Sequence, residues 1–352
     1  MKRTPDNSDG SMIIKCTAPI RICDLGGWTD TWFAGTGKVL NIAVFPSVEV
    51  TVVARPQKAR EPQITIFAEN YHDVYNVQPN SESWTKHPLI EAGFKLFKLP
   101  KQLHLDVTIF SEAPAGASTG TSASVSVAII GALDLLGNRS LTSNEIACKA
   151  HYIESEMLHL QSGIQDQLCA AYGGVSFIEM NRYPEASVSP IHLTDELAWE
   201  LESRLLLVFL GKPHSSSAVH ETVIKRLEQS PKFRRYLEPL REAATAGKEA
   251  LLRGDLGAFG KAMIENTRAQ EQLHPDLVGE RAKKVIEVAR QSGICGYKVN
   301  GAGGAGGSVT LLLESGAREK HQLIQAIEQA HPDFRNIPVR LAPNGLRRWK
   351  RA

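Results

Sequence analysis

The stretch S-E-A-P-A-G-A-S-T-G-T-S-A-S-V-S-V-A-I-I-G-A-L-D-L-L, residues 111–136, holds the pattern that decides the fold. Its first half is built almost wholly of small residues, and its second half is apolar nearly all round. A run that alternates apolar and polar residues, 103–110, precedes it, and Gly137 ends it. The pattern predicts a half-buried strand, a glycine-rich loop and a buried helix over 122–136. Pro114, Gly116, Ser118, Thr119, Gly120, Thr121, Ser122 and Ala123 allow close backbone approach, free N–H groups at a helix N-terminus and several hydroxyls. That combination suits a phosphate group. The small-residue run is longer than a tight turn with a helix cap requires.

Working outward, β-branched runs at 12–17, 39–44, 48–54 and 64–68 read as strands, and 88–96 as a short helix. After the central helix, Thr142 and Glu145 form a capping-box pattern. Ile146, Ala150, Ile153, Met157 and Leu160 then recur at helical spacing and predict one continuous second helix. Strands follow at 175–179 and 205–210, and helices at 218–229, 235–253, 257–270 and 279–291. Strands at 297–300 and 308–313 flank a second glycine loop, and a helix at 318–330 and a strand at 337–341 close the chain. Strands and helices do not alternate strictly, which predicts an α+β fold. Residues 1–10 read as a disordered tail, with two domains at 11–185 and 186–352 and the boundary near the proline-containing segment 184–190.

The second glycine loop is N-G-A-G-G-A-G-G, residues 300–307. Gly301, Gly303 and Gly306 match G-x-G-x-x-G, yet a strand rather than a helix follows, so a dinucleotide site is rejected on context. A loop lining a site beside the first one is the functional reading, and a flexible hairpin loop the plain one. Neither loop supplies the lysine of a Walker A motif, and no protein-kinase signature is present.

The chain has 352 residues, 42% hydrophobic and 22% charged, with a formal net charge of +2. No basic stripe suits nucleic acid, and no apolar run approaches the roughly 20 residues of a membrane-spanning helix. The opening M-K-R-T-P-D-N-S-D-G is unlike a signal peptide, so the expected location is cytoplasmic. Five cysteines, widely spaced and without C-x-x-C, argue against a disulfide framework or a cysteine zinc site. Neither nucleic acid nor membrane is an expected partner. Oligomeric state is open, a homodimer included.

Three segments in order now bear on function. They are A-P-I-R-I-C-D-L-G-G-W-T-D-T (18–31), the loop 114–124, and K-V-N-G-A-G-G-A-G-G-S (298–308). Together they resemble the GHMP kinase superfamily over most of the chain's length. The resemblance implies a first domain like ribosomal protein S5 domain 2 and a second, ferredoxin-like domain, with ATP and acceptor meeting between them. G-G-W-T-D-T (26–31) is similar to L-fucokinases. G-I-Q-D-Q (163–167), with H-P-L-I (87–90), is similar both to fucokinases and to D-glycero-D-manno-heptose phosphate kinases. The implied activity is transfer of the γ-phosphate of ATP to the anomeric hydroxyl of a monosaccharide such as a heptose, a heptose phosphate or fucose. Galactose, an isoprenoid or an amino-acid alcohol is the alternative acceptor.

The resemblance also implies roles. Ser122 and Glu154 would bind Mg²⁺, with Glu156 the alternative carboxylate. Asp166 would orient or deprotonate the acceptor hydroxyl, paired with Arg21. Asp30 would bind sugar hydroxyls, since a carboxylate accepts two in fixed directions, and Trp28 would stack on the ring. Gly27, Gly303 and Gly304 would complete the substrate side. The cluster His214, Ser215, Ser216 and Ser217 reads as a turn and helix cap. Ser118 and Thr119 stand where many members carry Gly-Leu, Ala305 interrupts the last glycine run, and Ser308 replaces a frequent cysteine.

Overall fold

Two long antiparallel strands, Met12–Leu25 and Gly37–Pro56, form the spine of the computed structural model. It describes residues 11–81, 83–213 and 218–351, so the expected tail over 1–10 and the polar cluster 214–217 lie outside the described residues. The runs 39–44 and 48–54 belong to one strand. Its first part pairs with Val175–Arg182 and its second with Leu103–Ser111, so one strand ties two regions of sheet together. Ile64–Ala68 adds in parallel to Leu103–Ser111, and Asp73–Val77 pairs with Ile64–Ala68. Nine strands make up this sheet among the described residues.

Helices Pro88–Lys95, Thr121–Leu136, Ser143–Tyr152 and Gln165–Tyr172 cover the sheet, and Thr121–Leu136 lies at the centre of their packing. Twelve of its residues are buried, as an all-round apolar pattern demands. Its one charge, Asp134, is fully buried and takes Arg348 of the C-terminal strand as partner. Ile14, Cys16 and Ala18 face the core beneath these helices. Beyond the register shift at Pro19/Ile20, Ile20 and Ile22 enter a second core shared with the other half of the chain. Arg21, between them, points the opposite way, and its backbone N–H donates to Thr119 O at 2.9 Å.

The second sheet has four antiparallel strands in the order Arg335–Ile337, Leu205–Phe209, Ser308–Leu313, Ile294–Val299. Leu205, Leu207 and Leu312 pack with Glu238–Leu252 and Leu256–Leu273; Leu206, Val208 and Leu311 pack with Glu280–Arg290 and Ala317–Ala330. With both faces covered, Leu205–Phe209 reads as an unbroken apolar run rather than an alternating one.

Several expectations need correction. The continuous second helix ends as an α-helix at Tyr152, passes into a π-helical turn, Ile153–Met157, and stops, which leaves Leu160 half exposed. A separate helix, Gln165–Tyr172, follows. The run 337–341 divides at Pro338: Arg335–Ile337 lies in the small sheet, Arg340–Leu341 in the large one. The segment near 184–190 is a strand, Glu185–Ile191, paired with Val175–Arg182. Arg347–Arg351 also returns to pair with Met12–Leu25. The spans 11–185 and 186–352 therefore do not coincide with the two sheets, because the chain leaves the large sheet after Ile191 and rejoins it at Arg340.

Candidate active site

The glycine-rich loop reaches its helix through three left-handed residues, Gly116 (φ 73°), Ser118 (φ 57°) and Gly120 (φ 70°). Only glycine adopts that region freely, so Ser118 is held there by its surroundings. Arg21 Nη1 donates to its carbonyl, and Ser118 Oγ is buried without a hydrogen-bond partner among the described residues. Gly120 caps Thr121–Leu136 without a side chain, so no side chain occupies the first-turn N–H groups. An uncapped helix N-terminus beside a loop of small residues is a ready anion site. Ser124 Oγ donates to Pro19 O at 2.7 Å and fastens the helix start to the first strand. Pro114 and Ala123 belong to the loop and helix start but line neither of the two cavities described below.

Arg21 and Asp166 meet as a bidentate pair. Arg21 Nε donates to Asp166 Oδ1 at 2.8 Å and Nη2 to Oδ2 at 3.0 Å. Arg21 is buried. Burial works against its charge, but Asp166 and Asp24 more than offset this and raise its pKa above the ordinary arginine value. Asp166 is about a quarter exposed at the start of Gln165–Tyr172 and lies against Gly120, where an added Cβ would sit 3.2 Å from Oδ2. Arg21 is therefore a buried site charge and not a surface one.

Behind this pair runs a second, buried one. Lys298 Nζ lies 3.4 Å from Asp24 Oδ1, both side chains 1% exposed, and Asp24 lies 3.8 Å from Arg21 Nη1. Gly301 N–H donates to both Asp24 oxygens, and Cys23 N–H donates to Asn300 Oδ1 at 3.2 Å. Burial lowers the Lys298 pKa, with Asp24 opposing. The first and third motifs are thus tied together through residues given no role in the sequence reading. The available signals were one lysine inside the apolar strand Ile294–Val299 and one aspartate inside I-C-D-L.

Asp30 is 2% exposed and accepts from the Gln165 backbone N–H at 3.0 Å. Burial pushes its carboxyl up to about 6, against that hydrogen bond. A side chain at Gly163 would collide with Asp30 Oδ2, which accounts for the glycine. Trp28 is buried, with φ 78° and its ring 4.9 Å from that of His220. Gly27 packs on Asp24 and on Gln165 Nε2, without lining the cavity. Glu154 is buried in the π-helical turn and accepts from Ser162 Oγ at 2.7 Å, whereas Glu156 is exposed. Burial raises the Glu154 carboxyl to about 7, with Ser162 pulling the other way, and its Oε1 has no hydrogen-bond partner among the described residues.

Two cavities adjoin these groups; Glu154 lines neither, but its partner Ser162 lines the first. One, of about 360 Å³, is lined by Arg21, Asp24, Trp28, Asp30, Gln165 and Asp166 together with loop residues 116–122. The other, of about 230 Å³, is lined by Asn70, Tyr71, His87, Pro88 and Ile90. Gly116, Thr121 and Ser122 line both. Gly303 and Gly304 line neither. Gly303 is pressed against the Leu277 carbonyl, and Gly304 N–H donates to that same carbonyl at 2.9 Å. The loop's contribution to the first cavity is instead Gly301 and Ala302.

Comparison with known proteins follows this geometry. The family model "GHMP kinases N terminal domain" matches residues 89–174, and "GHMP kinases C terminal" matches 248–331. The D-glycero-alpha-D-manno-heptose 7-phosphate kinase of Campylobacter jejuni is 24% identical over 346 residues, 96% of this chain and 99% of that one. The bifunctional fucokinase/GDP-fucose pyrophosphorylase of Arabidopsis thaliana is 27% identical over 91% of this chain, which spans only 31% of that protein. The crystal structure of a D-glycero-D-manno-heptose 1-phosphate kinase from Bacteriodes thetaiotaomicron superposes with a TM-score of 0.74 at 23% identity, covering 96% of this chain and 98% of that one. The two matched segments stand in the family's order and take in the phosphate-type loop, Asp166 and the second glycine loop, and the chain belongs to the GHMP kinase superfamily.

Proposed function

We propose that this protein transfers the γ-phosphate of ATP to the anomeric hydroxyl of a monosaccharide. One observation carries the reading: the phosphate-type loop forms a wall common to both cavities. A phosphate held there faces a donor in one cavity and an acceptor in the other. The cavity with Tyr71, His87, Pro88 and Ile90 is assigned to the nucleotide base, and the cavity with Asp30 and Asp166 to the sugar. Names of the relatives support a sugar acceptor.

Phosphoryl transfer requires alignment and charge neutralisation more than covalent help from the protein. The first-turn N–H groups of Thr121–Leu136 and the Arg21 guanidinium supply positive potential at the loop. Asp166, held on both oxygens by Arg21, is a good orienting acceptor for the sugar hydroxyl. Its quarter exposure leaves it accessible from the cavity. Asp30 fixes the ring through its hydroxyls.

Ser122 and Glu154 fit a magnesium ion in chemistry. Both offer hard oxygen donors, and Glu154 Oε1 is a buried oxygen with no hydrogen-bond partner among the described residues. Among the described residues no group of three or more metal-ligating side chains is preassembled. That accords with an ion held by one or two protein oxygens plus phosphate oxygens. When bound, the ion would neutralise phosphate charge. Unpaired cysteines throughout suit a reducing compartment such as the cytoplasm, and no helix among the described residues is long and apolar enough to cross a membrane.

The reading is tested by ADP release from Mg·ATP over a panel of fucose, galactose, mannose, arabinose, heptoses and heptose 7-phosphate. Turnover with at least one sugar is expected. Turnover only with non-sugar alcohols refutes it.

A further inference from the structure

Among the described residues, the buried polar atoms on the wall of the first cavity that lack a hydrogen-bond partner include Trp28 Nε1 and Gln165 Oε1, with Ser118 Oγ at the phosphate-type loop. Trp28 and Gln165 both line the cavity, and both are 7% exposed. Water does not reach their two atoms freely, so without a ligand a donor and an acceptor both stay unsatisfied.

The orientation of Gln165 follows from its neighbour. Its backbone N–H donates to Asp30 Oδ2 at 3.0 Å, and its Nε2 lies 3.5 Å from Asp30 Oδ1. Turning the amide over would set its oxygen against the Asp30 carboxylate. The amide oxygen is therefore the free end, and Asp30 holds it so. Trp28 is held as firmly by other means. Its backbone is left-handed, its carbonyl accepts from Thr31 Oγ1 at 2.8 Å, and its ring packs in an apolar cluster with Phe33 and Ile224. Its role in the cavity is then that of an N–H donor as well as an apolar surface.

We propose that Gln165 and Trp28 read acceptor hydroxyls other than the reacting one: Gln165 Oε1 accepts a hydroxyl hydrogen, and Trp28 Nε1 donates to a hydroxyl oxygen. Asp30 stands beside both. The array matches a polyhydroxylated acceptor and disfavours a mono-alcohol with an apolar tail. Such an alcohol would bury these atoms and leave them unpaired. The inference rests on the kinase reading given above and narrows its substrate class.

The test uses the full chain, steady-state kinetics with the best sugar of the panel, and the monodeoxy analogues of that sugar. Trp28→Phe keeps the ring and removes the donor. Gln165→Met keeps the length and removes the acceptor. Each should lower kcat/KM for the sugar by about 5- to 150-fold, the span for leaving one buried polar group unpaired, with KM for ATP unchanged. For one monodeoxy analogue per variant, wild type and variant should have equal kcat/KM, because the contact is already gone. Thermal midpoints report folding, and if one variant fails to fold, the other carries the test. Unchanged sugar kinetics in a folded variant, or equal penalties for every monodeoxy analogue in wild type and variant, overturns the inference and leaves the kinase reading standing. A wild-type protein that phosphorylates no sugar overturns both.

Discussion

Replacing Asp166 with Asn probes the pair on which the proposed chemistry turns. The amide keeps the shape but loses the negative charge and the ability to take a proton. It can also offer only one oxygen to an Arg21 that now binds two, at 2.8 and 3.0 Å. If Asp166 orients or deprotonates the acceptor, kcat should fall by about 10²–10⁴-fold, the usual range for a positioned acid or base. That is a rise of roughly 3–5 kcal/mol in the barrier. Stability should fall less. Arg21 keeps Asp24 at 3.8 Å and the Ser118 carbonyl, and Asp166 is about a quarter exposed. The loss should therefore stay below the about 3–5 kcal/mol of a fully buried pair that loses one partner. Nucleotide binding should persist, because Asp166 lines only the sugar-side cavity. The assay is kcat for sugar phosphorylation, with nucleotide affinity by fluorescent-nucleotide titration and the thermal midpoint on the same preparation. Near-wild-type kcat in a folded variant refutes the reasoning.

Three further outcomes are expected. Lys298→Met takes the nearer cation from the buried Asp24 carboxylate, which keeps Arg21 at 3.8 Å and the Gly301 N–H, so it should destabilise the fold by less than the about 3–5 kcal/mol of a buried pair that loses one partner. Adding Asp24→Asn should restore part of the loss, and thermal unfolding that shows strictly additive losses rules out the coupling. Ser122→Ala and Glu154→Gln should each lower turnover, with less than additive effects if they serve one ion. With Glu154 raised to about 7, Mg·ATP binding near pH 6.5 should release a proton that Glu154→Gln abolishes, as calorimetry in buffers of different ionisation enthalpy can measure. Asp30 holds its proton more tightly folded, at about 6, than at its ordinary 3.8, so its contribution to stability falls as pH rises from about 4 to about 6. Asp30→Asn should thus be more stable than wild type at pH 8, by up to about 3 kcal/mol, equal to it below pH 4, and weaker in sugar binding. Equal stability at both pH values would speak against a buried charge.

The parts of the fold legible in the sequence are those whose local pattern and tertiary role agree. The loop and helix at 114–136 could be read because small residues and all-round apolarity leave few alternatives. Leu205–Phe209 and Ser308–Leu313 of the second sheet were legible as apolar-rich runs. Arg347–Arg351 was not, because an edge strand of four cations and one tryptophan carries no burial pattern. Glu185–Ile191 alternates polar and apolar residues too weakly to announce a strand. Asp195–Arg204 buries only Leu201 and so shows no apolar stripe. In the site, Arg21, Asp166 and Asp30 could be named from motifs. Their partners could not: Asp24 with Lys298 and Asp30 with Gln165 meet across 274 and 135 residues of chain, and only the folded sheets bring them together. Gly303 and Gly304 misled because a glycine needed for close packing on Leu277 looks the same as one needed for a ligand.

The central claim is that the two cavities joined at the glycine-rich loop hold a nucleotide and a sugar for transfer to C1. Its most direct test is the phosphorus NMR spectrum of the product formed from Mg·ATP and the best sugar of the panel, before and after mild acid. The account predicts stoichiometric ADP and one new sugar phosphate, with its phosphorus coupled to the anomeric proton and its phosphate released by acid. An acid-stable ester at a primary or ring hydroxyl, or ADP formed with no phosphorylated sugar, would contradict it.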